Sequence, residues 1–406
     1  MKSRPIYLPG LNGLRAIAAL SVVIAHVSLK GIADFGLPSK PHLPMAGYGV
    51  TLFFVISGFL ITYLLMLELE KTKTVRIRKF YARRILRIWP IYYLYIGIVF
   101  AILWWLNQSD AMKVQEMWYY IFFAANIPFI YQQGILILAH YWSIGVEEQF
   151  YLFWPWLVRF FKKNLLKTSA LIFIIFFSIK IILWFTLGNK SYEYRFFTVT
   201  RFHIMMIGAI GSIFYIQKQS YFLILFSSKT AQLLSWTFFV LMGLNIIHIP
   251  IPIAHEAIAI ASLSMIIGQI MVSKRIVNLE NKLCDFIGKI SYGIYVIHPI
   301  IILLLSKIYK NLNINIYLKY VLVYSTVVFA TICFAWLSYT YFEKPFLKLK
   351  SRFAVVQSSN TMLSKNHLPN ILQATRINHY RITRFLFWMI ERGLFKWEKL
   401  INRFTK

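Results

Sequence analysis

The sequence predicts an all-α polytopic membrane protein with about ten transmembrane helices and both termini cytoplasmic. Two observations carry the class. Hydrophobic residues make up 59 % of the 406-residue chain and charged residues only 14 %, too little polar surface for a soluble chain of this size. The apolar residues also gather into runs long enough to cross a bilayer, at about 11–29, 46–67, 86–106, 138–161, 168–187, 197–216, 230–248, 252–272, 284–306 and 318–341. Net charge is +30. The basic residues cluster between the apolar runs, where the positive-inside rule and anionic lipid headgroups account for them without nucleic acid.

The first run is expected to serve as an uncleaved anchor, since no small-residue cleavage site follows it. It carries Arg15 and His26 within "LNGLRAIAALSVVIAHV". Eleven residues at about 100° each return to nearly the same helical face. At 1.5 Å per residue the two are roughly 16 Å apart along the axis, one near each membrane surface. Ionisable groups at membrane depth are costly and tend to have a task. Such a pair suits chemistry that begins on one side of the bilayer and ends on the other.

The loop after the second run holds Lys71, Lys73, Arg76, Arg78, Lys79, Arg83, Arg84 and Arg87, which assigns it to the cytoplasm. Arg83 and Arg87 are four residues apart and share a face, suited to gripping phosphates, with Arg84 pointing elsewhere. The same residues also fit an ordinary positive-inside anchor. The stretch 117–135, with Asn126, Pro128, Gln132 and Gln133, makes a poor lipid-facing helix and is read as re-entrant or interfacial. That reading keeps Arg159, Lys162, Lys163 and Lys167 cytoplasmic.

The fourth run, "HYWSIGVEEQFYLFWP", places His140, Ser143 and Glu147 on one face. A carboxylate at the depth of Glu147 should be paired or protonated; it could orient His26 or balance a buried cation such as Arg15. His203, His255, Glu256, His298 and Glu343 are weaker signals at helix mouths or ends. Arg201, His203, His255 and Glu256, at helix mouths, read as solvated, and Ser57 with Gly58 as a close helix contact. Cys284 and Cys333 fall inside predicted spans, so neither a disulfide framework nor a cysteine metal site is expected. No metal-ligand spacing or P-loop occurs. Residues 1–350 form the transmembrane domain. Residues 351–406 form a cytoplasmic basic tail with an amphipathic helix near its end.

Taken in order, "LNGLRAIAALSVVIAHV", "LFFVISGFLIT", "RRILRIWP", "HYWSIGVEEQFYLFWP", "RFHIMMIGA", "SYGIYVIHP" and "YFEKP" resemble the membrane-bound acyltransferase-3 family over about residues 6–350. The resemblance implies a ten-helix enzyme of the cytoplasmic membrane. It would take an acyl group, most simply acetyl, from cytoplasmic acyl-CoA and pass it to a glycan or lipid-linked sugar at the outer face. It implies His26 as catalytic base, Ser143 and Glu147 as its companions in the site, and Arg15, Arg83 and Arg87 on the donor. Thr51 stands where the family pattern usually has an acidic residue, and His203 where it often has Asp, which bears on acceptor specificity. Some members carry a C-terminal esterase-like domain; none is read here, so a second transfer step would need a separate partner. The rival expectation is a transporter or flippase using His and Glu as a proton relay. A glycan polymerase would need longer outer loops. The sequence leaves the oligomeric state open.

Overall fold

The computed structural model describes residues 6–29, 34–38, 43–105 and 114–356. By its contacts the chain divides into Met1–Met362 and Leu363–Lys406. The second unit, with the amphipathic helix expected there, lies outside the described residues.

The first unit is helical throughout its long elements. α1 (Leu11–Val27) follows Gly10, whose left-handed φ of 71° turns the chain into the helix. The Gly10 N–H donates to Glu280 Oε2 at 2.6 Å, and the Tyr7 hydroxyl donates to the same carboxylate. α2 (Met45–Thr72) and α3 (Ile77–Trp105) are joined by a short basic turn. This end of the bundle is called the basic end below.

Residues 114–138 form no long helix. They fold as a 3-10 turn (Val114–Glu116), α4 (Met117–Ile121), α5 (Asn126–Ile130) and a second 3-10 turn (Leu136–Leu138). Their polar groups are satisfied from neighbouring helices. Tyr92 donates to the Tyr120 carbonyl at 2.6 Å and Tyr93 to that of Ile121 at 2.8 Å. Gln149 donates to the Phe123 carbonyl at 3.0 Å and to Asn126 Oδ1 at 2.8 Å. A broken segment of this kind is tolerated at membrane depth only where protein satisfies it.

α6 (Tyr141–Phe160) runs antiparallel to α3. The Tyr141 hydroxyl donates to the Tyr92 carbonyl at 3.0 Å, whereas further along α6 the Trp156 indole donates to the Tyr81 hydroxyl at 2.9 Å. α7 (Leu165–Leu187) is the outermost helix, with 6 % of its apolar window buried against 72 % for α12 (Ile251–Ile270). α8 (Tyr192–Thr200) and α9 (Phe202–Ile216) meet at Arg201, whose φ of 45° breaks the helix. α10 (Ser220–Ser227) and α11 (Lys229–Gly243) are bent by 54°. After α12 come α13 (Lys282–Lys289), α14 (Ser291–Tyr309) and α15 (Ile316–Leu337). A π-helical turn (Ser338–Glu343) then leads into α16 (Lys344–Ser351).

Among the described residues, seven helices are long and apolar enough to cross a membrane, or eight if α10 and α11 count as one span. The chain is thus an all-α polytopic membrane protein. A helix occupies each of the ten predicted segments, but α1 has only 17 residues. α6 carries Glu147, Glu148, Gln149 and Arg159 within its 20 residues. The ninth span begins at Ser291 rather than at residue 284, because Lys282, Asp285 and Lys289 make α13 a separate amphipathic helix. Cys284 therefore precedes the span instead of lying within it.

α2 is the centre of the bundle and packs most extensively on α9 and α1. Small residues allow this. A Cβ on Gly58 would collide with the Met205 backbone, and one on Gly208 with that of Val55. The expected close contact at Gly58 is therefore real, and it draws α2 and α9 together on one side of a central cavity.

Candidate active site

The cavity lies among α1, α2, α3, α6 and α14. It has about 750 Å³ of empty space, its open mouth included. Arg15 from α1 and Arg84 and Arg87 from α3 line it, with Glu147, Ser143 and Tyr151 from α6. Ser57 from α2 and Tyr292 and Tyr295 from α14 complete its polar wall. Glu147 is held on two sides: the Ser57 hydroxyl donates to Oε1, and the Tyr151 hydroxyl donates to the same oxygen at 2.6 Å. Arg15 and Arg87 are within electrostatic range of this carboxylate. Arg84 stacks over the Tyr151 ring at 5.5 Å and the Phe80 ring at 5.8 Å. Its buried Nε has no hydrogen-bond partner among the described residues. Three guanidinium groups facing one principal carboxylate leave an excess of positive charge, which an anionic ligand would balance.

Arg83, expected beside Arg87, is not part of this wall. Its Nη2 makes an ion pair with Glu68 Oε2 at 3.1 Å and its Nη1 donates to the Phe353 carbonyl at 3.0 Å. The structure brings Arg84 and Arg87 together instead. Three and four residues apart are both neighbours on a helix, so spacing alone admits either partner. The buried Glu68 decides between them by capturing Arg83.

The far end of the cavity is closed by a hydrogen bond of 2.5 Å between the Ser143 and Tyr295 hydroxyls. The Tyr295 hydroxyl also donates to the His140 carbonyl at 2.9 Å. His140, expected on the same face as Ser143, caps α6 and turns its ring away. Its Nε2 is 3.2 Å from the Val296 carbonyl, and its ring meets that of His298 edge-on at 5.3 Å.

His26 does not line the cavity. It is joined to the far end through His298: the two rings stack at 4.9 Å, with His26 Nδ1 2.7 Å from His298 Nε2. The proton positions follow from the partners. His298 Nδ1 faces two carbonyl oxygens, Tyr295 at 2.8 Å and Ile294 at 3.3 Å, so it carries a proton. Nε2 of a neutral His298 is then an acceptor, and Nδ1 of His26 donates to it. The lone pair of His26 falls on Nε2, the state a general base requires. Glu147 is therefore not the group that orients His26. Its carboxylate is engaged by Ser57 and Tyr151 on the cavity wall, and His298 takes the orienting position.

Arg84, Tyr295 and His298 are the site residues that sequence reasoning did not assign. A signal for two of them existed: Ser291, Tyr295 and His298 fall at i, i+4 and i+7 in "SYGIYVIHP", one face of α14.

A second polar group lies outside the cavity. His255 and Glu256, expected to be solvated, are covered by α2, α7 and α9. Glu256 Oε1 accepts from Lys180 Nζ and lies 2.6 Å from His203 Nε2. Lys180 is 2 % exposed, His203 0 % and Glu256 5 %. Arg201 approaches Thr51 Oγ1 at 3.4 Å and His255 Nδ1 at 3.3 Å, with its guanidinium over the Trp142 ring at 5.2 Å. The two positions that depart from the family pattern, Thr51 and His203, thus belong to this buried group.

The described helices thus form a multi-helix membrane bundle with an arginine-lined cavity and a paired imidazole beyond its far end. The chain belongs to the acyltransferase-3 family: residues 8–340 match its acyltransferase domain. Among curated proteins it is 28 % identical over 368 residues to Putative O-acetyltransferase SACOL0978 of Staphylococcus aureus strain COL. That match covers 84 % of this chain and 58 % of the relative. It is 32 % identical over 221 residues to O-acetyltransferase OatA of Staphylococcus aureus strain NCTC 8325 / PS 47, covering 51 % of this chain and 34 % of that protein. The matched part is thus less than two thirds of either relative's length. No solved structure matches the chain at a significant level.

Proposed function

We propose that this protein is an integral-membrane O-acyltransferase, most simply an O-acetyltransferase. It takes its acyl group from cytoplasmic acyl-CoA and delivers it to a hydroxyl of an extracytoplasmic glycan or lipid-linked sugar. The observation that carries the reading is the polarity of one cavity. Arg15, Arg84 and Arg87 stand on its wall, and the Ser143–Tyr295 pair that leads to His298 and His26 closes its far end. Family membership and the names of the relatives support acyl transfer to oxygen.

In this reading the basic end faces the cytoplasm. Arginines hold the donor's phosphates by charge-assisted hydrogen bonds. The acyl-pantetheine arm enters the cavity, and the thioester approaches the far end past Tyr295. Nε2 of His26 removes the proton from the acceptor hydroxyl as its oxygen attacks the thioester carbonyl carbon. The C–S bond breaks and the thiolate leaves with the proton returned by His26. His298 keeps the imidazole in the productive tautomer. Ser143 and Tyr295 place their hydroxyls beside the path of the thioester. A positioned base of this kind contributes roughly 10²–10⁴ in rate. Glu147 limits the repulsion among the cavity arginines and sets their positions.

The test is acetyl transfer from labelled acetyl-CoA by the purified protein in proteoliposomes. It is paired with mass spectrometry of surface glycans from cells with and without the gene. Gene-dependent acetyl groups on glycan hydroxyls, together with labelled product in vitro, are the expected result. Transport of a sugar substrate without any acetyl transfer would overturn the reading in favour of a carrier.

A further inference from the structure

The chain returns to the basic end after α15. The π-helical turn at Ser338–Glu343 leads into α16, which packs along α3. α16 carries Lys344, Lys348 and Lys350 and has no fully buried residue. Lys350 is half-buried. It lies within electrostatic reach of Arg87, Arg84, Arg15 and Arg83, in falling order. A lysine is not drawn to three or four guanidinium groups by itself, because like charges at short range repel. Something must hold it there.

Arg83 supplies the fastening. One arm of its guanidinium is fixed by Glu68, which is 1 % exposed and whose other oxygen accepts the Arg76 N–H at 2.7 Å. The other arm donates to the carbonyl of Phe353, three residues after Lys350. Lys71 adds a second tie by donating to the Val355 carbonyl at 3.2 Å. The α2–α3 corner therefore clamps the chain immediately beyond α16. Arg83 spends both arms inside the protein, so it is poorly placed to hold a ligand directly. It is well placed to hold the segment that carries Lys350.

Charge balance indicates what the clamp is for. Arg15, Arg84, Arg87 and Lys350 converge near the mouth. The acidic groups that face them are Glu147, bonded to Ser57 and Tyr151; Glu148, bonded to the Trp89 indole at 3.0 Å and in electrostatic range of Arg84; and Glu343, bonded to Ser338 at 3.3 Å and in electrostatic range of Arg87. Glu68 is taken by Arg83. Four cationic side chains against three carboxylates leave this end net positive, a match for an anionic ligand. Lys350 is not among the residues that line the cavity, so a contact from it to a bound donor would fall beyond that wall, on the side where residues 353–355 are clamped.

We infer that Lys350 is a further phosphate-binding residue at the cavity mouth, and that Arg83 is the positioning residue that fastens it there through residues 353–355. The ligand class is the phosphorylated nucleotide end of the acyl donor. The inference rests on the acyl-CoA reading above.

The experiment uses the full chain in nanodiscs of phosphatidylcholine alone, with acetyl-CoA binding measured by equilibrium dialysis. Lys350→Gln should weaken binding about tenfold, the loss of one charge-assisted phosphate contact, and Lys350→Arg should restore most of it. Arg83→Gln should weaken binding to a similar degree by raising KM for acetyl-CoA, with kcat at saturating donor unchanged. Combining it with Lys350→Gln should add little. Arg87→Gln controls the reading itself. If Arg87→Gln binds normally, the acyl-CoA reading fails. If Arg87→Gln is weak but Lys350→Gln binds normally, only the Lys350 assignment fails. Additive losses in the double variant would remove Arg83 from its positioning role. A Lys350 effect that appears only when phosphatidylglycerol is present would assign the lysine to lipid headgroups and overturn the proposal. Arg83 variants are compared only where size exclusion shows a folded, monodisperse protein; Lys350, which is not fully buried, keeps the test open if they fail.

Discussion

His298, rather than a carboxylate, accepts the Nδ1 proton of His26, at 2.7 Å and with the two rings stacked. An imidazole partner differs from a carboxylate in one chemical respect. It orients the base and fixes its tautomer without adding a negative charge, so it does little to stabilise the imidazolium that forms during proton removal. In the proposed transfer His26 returns its proton to a leaving thiolate within one turnover, and a neutral partner suits that role.

His26→Ala should abolish transfer while acetyl-CoA binding persists, because His26 is about 16 Å along α1 from Arg15. His298→Ala should reduce turnover by about 10²-fold, the scale of a misplaced catalytic group. Its acetyl-CoA affinity should stay near wild type. Transfer in proteoliposomes and donor dialysis on the same preparations check both. Near-normal turnover in His26→Ala would take the imidazole out of the reaction.

Donor binding should follow the cavity wall rather than the helical spacing. Arg84→Ala and Arg87→Ala should each weaken acetyl-CoA by about tenfold or more, since each removes a charge-assisted phosphate contact. The losses should shrink as salt is added and screening weakens the wild-type contacts too. Equal affinity in Arg84→Ala and wild type would return the direct role to Arg83.

The order of helices and the polar break at 114–138 were legible because both follow from local composition. So was the inward face of α6, since Ser143 and Glu147 do share the cavity. What could not be read was which neighbour each face meets. Helical periodicity places a residue around its own axis and is silent about the helix across the gap. Spacing therefore favoured Arg83 over Arg84 as the partner of Arg87, and only the capture of Arg83 by Glu68, fifteen residues upstream, reverses that choice. Glu147 was the candidate to orient His26, and only the packing of α14 against α1 reveals His298 in that position. His203 and Glu256 looked solvated because each sits in the first turns of its helix. Lys180, from the otherwise lipid-facing α7, reaches in to complete a charged group that no local pattern marks.

That group makes a prediction about stability. Glu256 holds Lys180 and His203 through one oxygen, all three nearly inaccessible to solvent. Removing one partner strands a buried charge at a cost of about 3–5 kcal/mol. Glu256→Gln should accordingly lower the melting temperature in detergent well below that of an exposed control such as Glu193→Gln. Adding Lys180→Met should recover part of the loss, because the stranded cation is gone. Equal melting of Glu256→Gln and the control would mean that water reaches the group.

The last prediction concerns topology, and α3 and α6 carry it. Tyr141 contacts Tyr92, while Trp156 contacts Tyr81, so the two helices run in opposite directions. The chain between them has come back to the end from which α6 starts without a net crossing. α4 and α5 have five residues each, about 8 Å of helix against a hydrocarbon core of about 30 Å. Neither can span. It follows that Arg159–Lys167 emerges on the same side as the basic turn at Lys71–Lys79, and the positive-inside rule assigns that side to the cytoplasm. A cysteine at position 164, introduced as Asn164→Cys with Cys284 and Cys333 replaced by alanine, should resist an impermeant thiol reagent in intact cells and label after permeabilisation. A cysteine in place of Glu193, one membrane crossing later, should label from outside in both conditions. Labelling of position 164 in intact cells would require the 114–138 segment to cross after all, and would reverse the assigned side of every later loop.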